Sequence, residues 1–339
     1  MPIAIDRDAA AELSPQLDDA LAVVCNEFEG LDPHRQYHNS FARVVKTDPL
    51  GRVLMMGTDQ RDLFVPLLRR AIETFVPRAG QIFDVGAGDG QTISYVATAV
   101  PEGTTVSIEE PNPAYLAAYQ AFLQRQPHLR TGIVLDTDID GLVEKAQHSA
   151  VELPPPGSVD LALGLHMMYF AADVPNTVRT VLRLVKPGGA FFTVITDEAT
   201  AYCGAVLKTF VESGGDVGDD YLDAVEERRH LFAPETEGGH LAEFVREPGL
   251  EIHVESVRQP SRMYGHTLAD LLALSNISVL VNVPGLQKFE AAAKTLRDRP
   301  EEVDLRIETD GPRAGMWSVV QPQWVTAVRR IDTGRSARS

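Results

Sequence analysis

The 339-residue chain has little cysteine, a deficit of positive charge and no long apolar run. Two cysteines, Cys25 and Cys203, exclude a disulfide scaffold and a cysteine-built zinc site, and they suit a reducing compartment. No stretch approaches the roughly 20 apolar residues that a membrane span requires. The opening residues, Met-Pro-Ile-Ala-Ile-Asp-Arg-Asp-Ala-Ala, show no basic segment followed by an apolar one. No secretory signal is therefore visible, and the cytoplasm is the expected location. Lys and Arg number 31 against 48 Asp and Glu, a formal charge of -17. Phosphate contacts need cations and a negative field repels a polyanion, so nucleic acid is not an expected partner. A neutral or cationic small molecule fits better, although solubility alone would also account for the charge. His230, His240, His253 and His266 are scattered without metal-ligand spacing, so no metal is expected. There is no internal repeat or low-complexity tract.

What is present is an ordinary globular composition, 44% apolar and 23% charged. Leu13, Leu17, Leu21 and Val24 fall at helical spacing and predict an amphipathic helix over 11–30. A polar, punctuated stretch with Tyr37, Ser40 and Phe41 follows, then a helix over 62–75. From residue 82 strand and helix patterns alternate. Strands are predicted at 82–85, 105–109, 132–135, 159–163 and 190–196, with helices at 92–100, 113–124, 141–149 and 174–185. Such alternation implies a Rossmann-like, doubly wound, mostly parallel α/β sheet. Beyond 200 the pattern loosens to helices near 201–213, 219–231, 267–274 and 285–297 and a strand near 250–257. A charged, exposed loop is read at 298–314 and a last strand at 319–328.

Asp84-Val85-Gly86-Ala87-Gly88-Asp89-Gly90 ends the first strand of that alternation. Gly86 and Gly88 permit unusual dihedrals and close approach of backbone to a ligand. The helix after them offers free N–H groups to an anion. Glu110 closes the next strand about twenty residues on, where an acid meets ribose hydroxyls. The loop spacing is Gly-x-Gly-x-Gly, and position 91 is Gln, which departs from the dinucleotide fingerprint. A ligand-free glycine turn and a solvated glutamate are the plainer alternatives.

The Asp84–Gly90 loop resembles motif I of class I S-adenosylmethionine-dependent methyltransferases. Lys186-Pro187-Gly188-Gly189 resembles the turn before that family's fifth strand. Within the family, the stretch from Asp160 to Pro175, containing His166, Tyr169, Phe170 and Asp173, is similar to the fourth-strand region of histamine N-methyltransferases. Glu110-Pro111-Asn112, Tyr37-x-x-Ser40-Phe41 and Thr58-Asp59 are shorter matches. The chain is read as four segments. These are an N-terminal helical cap and substrate segment (1–78), a cofactor-binding core (79–200), a C-terminal part with substrate, lid or homodimer elements (201–330), and a disordered tail (331–339).

The resemblance implies cofactor contacts from Asp84, Gly86, Gly88, Gly90, Glu110, Pro111, Asn112, Tyr115, Thr137, Asp138 and Leu165. Tyr37, Phe41, Asp59, Tyr169, Phe170 and Tyr202 would line the substrate. His166, Asp59, Phe170 and Tyr115 stand where the family has Gln, Glu, Tyr and Gln, so the fold and cofactor carry over more readily than histamine does. His166 would act as the general base, against the plainer reading of a structural histidine. Asp59 reads equally as a helix cap, and Tyr169 and Phe170 as core. Arg262 and Arg313 keep an acidic substrate open. The expected activity is methyl transfer to a small amine or azole. Oxygen, sulfur, carbon or carboxylate acceptors, or cofactor binding without turnover, are the alternatives.

Overall fold

A computed structural model describes residues 2–47, 53–148, 153–234, 236, 239–277, 283 and 285–331. Two compact units divide the chain, each assembled from separated segments. One takes residues 1–61, 196–229 and 259–323, the other 62–195, 230–258 and 324 onward. The consecutive blocks expected at 1–78, 79–200 and 201–330 are thus redistributed, because the strands Ile252–Gln259 and Gln323–Arg330 join the sheet of the second unit. Apart from Ile331, the tail expected to be disordered lies outside the described residues.

The second unit is built on a seven-stranded sheet. Its strands are β1 (Gln81–Val85), β2 (Thr104–Glu109), β3 (Leu129–Leu135), β4 (Val159–Leu165), β5 (Val185–Thr196), β6 (Ile252–Gln259) and β7 (Gln323–Arg330). They lie in the order β3-β2-β1-β4-β5-β7-β6. The pairs β1/β2, β2/β3, β1/β4 and β4/β5 are parallel. Ile331 N–H donates to Glu251 O and Thr326 meets Ser256, so β6 and β7 run in opposite directions. Strand β4 is buried at every position but its last, as expected of a parallel strand covered on both faces.

Helices packed on the sheet include α1 (Gln60–Phe75), α2 (Gln91–Val96), α3 (Pro113–Gln124), α4 (Ile139–Gln147) and α5 (Val174–Leu184). Leu68 and Ile72 of α1, Val96 of α2 and Tyr119 of α3 pack with Ile82, Val106 and Ile108 on one side. Leu142 of α4 and Val178, Val181 and Leu182 of α5 pack with Phe83, Val85 and Phe191 on the other. The α/β doubly wound reading holds. Several helices begin where the local chemistry requires. Asn112, Asp138 and Asp173 each accept backbone N–H groups of the first turn, and Pro113 and Pro175 occupy early positions where no donor is needed.

Some elements differ from expectation. Residues 31–44 hold a helix, Pro33–Val44, started by Pro33 and by Asp32 accepting the Arg35 N–H. The first predicted helix is two, Arg7–Glu12 and Ser14–Phe28, parted at Leu13 ahead of Pro15. The turn at 186–189 interrupts β5. Val159 pairs with Val185 but Leu161 with Ala190, so three extra residues loop out. Lys186 forms an ion pair with Asp160 there.

The first unit carries a four-stranded antiparallel sheet in the order Ile3–Ala4, Arg306–Ile307, Trp317–Val320, Arg262–Gly265. Strand Arg306–Ile307 and the buried Val303 and Leu305 lie in the stretch expected to be an exposed loop, since a few apolar residues suffice to anchor it. The last predicted strand divides at Gln321-Pro322 between the two sheets. Phe28 and Phe289 meet edge-on at 4.9 Å in this unit's helical core.

Candidate active site

The chain runs outward from β1 through β2 to β3, then returns to lay β4 against the opposite side of β1. A parallel sheet opens a crevice at such a reversal, beyond the carboxyl ends of the strands. Two sequence features meet that crevice: the glycine loop after β1 and His166 after β4.

In the loop, Gly86, Gly88 and Gly90 all have left-handed backbones, with φ of 61°, 58° and 77°. A Cβ on Gly86 would stand 2.5 Å from Met167 Cβ, and one on Gly90 2.5 Å from the Tyr119 ring. A Cβ on Gly88 would meet nothing within 4 Å, so that glycine faces open space. Packing demands the outer two glycines, and room for a ligand remains over the middle one.

Two glutamates hold the loop from β2. Gly86 N–H donates to Glu109 Oε2 at 2.7 Å and Gly88 N–H to Glu110 Oε2 at 2.8 Å. Glu110 Oε1 accepts the Asn112 N–H at 2.9 Å. Beneath them Tyr119 donates its hydroxyl to Asp84 Oδ2 at 2.8 Å. Burial, and then the nearby Glu110, raise the Asp84 carboxyl to about 7 against the lowering effect of Tyr119. Burial likewise raises Glu109 to about 8, opposed by the Gly86 N–H and reinforced by Glu110, Asp138 and Asp84. Tyr115, half-buried on α3, is raised by burial and by Asp89 and Glu110.

The loop fits an adenosyl cofactor on three observations of this chain: open space over Gly88, a carboxylate beside it, and a third glycine pressed on Tyr119. Asn112 and Asp138 spend a side-chain oxygen on capping α3 and α4, and Pro111 is exposed. Thr137 precedes the Asp138 cap, and its hydroxyl lies close over Gly141.

His166 follows Leu165 at the end of β4 and has φ of 56°, a conformation that costs a non-glycine residue about 1–3 kcal/mol. Its N–H donates to Val194 O at 2.8 Å, which fixes the backbone. The imidazole stacks on Tyr169, interplanar angle 13°, with Nδ1 3.3 Å from the Tyr169 hydroxyl. Phe64 meets it edge-on at 5.8 Å. Phe170 is 51% exposed, so the plain-core reading of that ring does not hold.

Four further expectations concern the first unit. Tyr37 and Phe41 stack at 6.0 Å on the Pro33–Val44 helix. Asp59, directly before the helix that starts at Gln60, accepts the Arg262 N–H and the Tyr264 hydroxyl, both at 2.7 Å. Tyr202 is not a lining residue: it is fully buried, its hydroxyl donating to Leu271 O. Arg262 is bound to Asp304 and Ser318, and Arg313 to the Met56 and Thr58 carbonyls over the Tyr264 ring. Both arginines thus already hold internal partners.

Sequence reasoning missed Glu109, Tyr119 and Met167. The doubled glutamate was a visible signal, but only its second member matched a known pattern. Tyr119 lies one helical turn after Tyr115, a spacing that marks a shared face.

A sheet reversed at β1/β4, with a three-glycine loop and an acid at the end of β2, defines a nucleoside-cofactor enzyme of the doubly wound class. Residues 56–255 match the methyltransferase domain family, and the chain belongs to that family. It is an S-adenosylmethionine-dependent methyltransferase. Ubiquinone biosynthesis O-methyltransferases from Thiobacillus denitrificans and Ralstonia nicotianae are each 29% identical over 191 residues. The matches span 55% of this chain and 71% and 69% of those proteins. A solved geranyl diphosphate methyltransferase in complex with SAM is 15% identical, with a TM-score of 0.37 over 79% of this chain and 84% of that one. Among the described residues, no helix is long and apolar enough to cross a membrane.

Proposed function

We propose that this methyltransferase modifies a small-molecule hydroxyl, with His166 as the base that removes the acceptor's proton. The observation that carries the proposal is His166 itself, held in a strained backbone conformation beside the β1/β4 crevice with its ring against Tyr169. Strain maintained at such a place is more economically explained by a task than by packing. The oxygen acceptor is favoured by the O-methyltransferase names of the relatives.

In this reading the loop Gly86–Gly90 holds the methionine part of the cofactor and Glu110 accepts hydrogen bonds from its ribose. Asp84, Tyr115, Thr137, Asp138 and Leu165 complete the surroundings, and Pro111 and Asn112 shape the turn. The cofactor supplies a methyl group on a positively charged sulfur. Alignment is the main contribution of the chain and can lower the barrier by roughly 7–11 kcal/mol. When a bound cofactor gives its methyl group to the acceptor oxygen, the imidazole of His166 would take the hydroxyl proton. Tyr169 steadies that ring, and Phe170 is a candidate lining residue.

A second reading, transfer to an amine or azole nitrogen, is favoured by the likeness of Asp160–Pro175 to histamine N-methyltransferases. It uses the same base.

Labelled methyl transfer to parallel panels of phenols, alcohols, amines and azoles separates the two readings. His166→Ala is expected to reduce turnover on the accepted substrate by about 10²–10⁴-fold and to leave S-adenosylhomocysteine affinity unchanged. Undiminished turnover at every pH would remove His166 from the reaction.

A further inference from the structure

The functional reading leaves Glu109 without a task. It ends β2 between Val85 of β1 and Leu135 of β3 and is 1% exposed. Its Oε2 accepts the Gly86 N–H, while its Oε1 is buried and has no hydrogen-bond partner among the described residues. The groups that act on it are Asp84 from β1, Glu110 beside it and Asp138 after β3, all acids. An ionised carboxylate in that company would be poorly compensated, and burial together with these acids favours the protonated form of Glu109.

The methyl donor and its product differ by one positive charge. Both carry an amino acid end, but the donor's sulfur is a sulfonium and the product's a neutral thioether. A cation held by the Gly86–Gly90 loop favours the ionised form of the acid that accepts the Gly86 N–H.

We propose that Glu109 reads the charge of the bound cofactor, releasing its proton when the sulfonium donor binds and regaining it when the neutral product takes its place. This inference rests on the glycine loop being the cofactor cradle. The proton leaves the Glu109 carboxyl for solvent on donor binding, and loss of the sulfonium charge during transfer draws one back. Linkage then makes the donor bind progressively tighter than the product as pH rises. The device would favour exchange of spent for fresh cofactor.

Calorimetry in buffers of different ionisation enthalpy, with S-adenosylmethionine and S-adenosylhomocysteine, counts the protons released. Wild type should release more with the donor. Its product-to-donor ratio of dissociation constants should rise about tenfold between about pH 6.5 and about pH 8.5. The ligands' own ammonium groups titrate near pH 8, so Glu109→Gln supplies the reference: it retains an acceptor for Gly86 N–H and should show a smaller proton difference and a flatter ratio. Equal proton counts for both ligands in wild type overturn the proposal whether or not the variant folds. A difference undiminished in a folded E109Q also overturns it. Failure of either ligand to bind wild type at all would instead defeat the cradle reading.

Discussion

Alanine substitutions at Gly88 and Gly90 should separate loop packing from ligand binding. Both residues have left-handed backbones, which costs alanine about 1–2 kcal/mol relative to glycine. At Gly90 the added methyl also strikes the Tyr119 ring, 2.5 Å from Cδ2 and 2.7 Å from Cγ. That ring is fully buried and tied to Asp84, so it has nowhere to retreat. Overpacking of this kind adds about 1–3 kcal/mol. Gly90→Ala should therefore lower the unfolding free energy of the cofactor-free protein by about 2–5 kcal/mol. Gly88→Ala should lower it by only about 1–2 kcal/mol, because its methyl enters open space. In binding the order reverses. The Gly88 methyl occupies the cradle, and calorimetry with S-adenosylhomocysteine should show at least a tenfold loss, about 1.4 kcal/mol. Urea denaturation measures the first pair of values. A Gly88→Ala protein that binds with an unchanged dissociation constant would refute the placement of the ligand over this glycine.

Glu110→Ala should weaken cofactor binding by about 1–3 kcal/mol through loss of charge-assisted bonds to the ribose, read by calorimetry at a temperature where the variant is folded. Unchanged affinity would count against the assignment. Asp84 and Glu109 have folded-state values of about 7 and about 8, above their ordinary 3.8 and 4.5. The native chain thus holds protons that the unfolded chain has released, and the stability from these acids is lost as pH rises through that range. Between about pH 6 and about pH 9 wild type should lose about 1–3 kcal/mol relative to E109Q, measured by urea unfolding without cofactor. Parallel pH profiles for the two proteins would contradict the burial argument.

The sheet was legible because parallel strands and their helices carry strong, regular apolar patterns; Val159–Leu165 and Val174–Leu184 fell within two residues of their reading. The loop Gly86–Gly90 was legible because positive φ restricts residue choice. The helix Pro33–Val44 was not: its polar residues mask the period, and its capping by Asp32 shows only in the hydrogen bonds. Nor was Tyr202, whose ring and hydroxyl suit a binding surface as readily as the buried helical site it fills. Glu109 escaped for a different reason. A buried acid breaks the rule that strand interiors are apolar, and its partner is a backbone N–H that no side-chain pattern records.

A crystal structure of the S-adenosylhomocysteine complex tests the central claim most directly. The ribose hydroxyls should lie within hydrogen-bonding distance of the Glu110 carboxylate, with the aminocarboxypropyl arm across Gly86 and Gly88. Ligand density elsewhere, or a Glu110 side chain still turned onto Gly88 and away from the sugar, would contradict it.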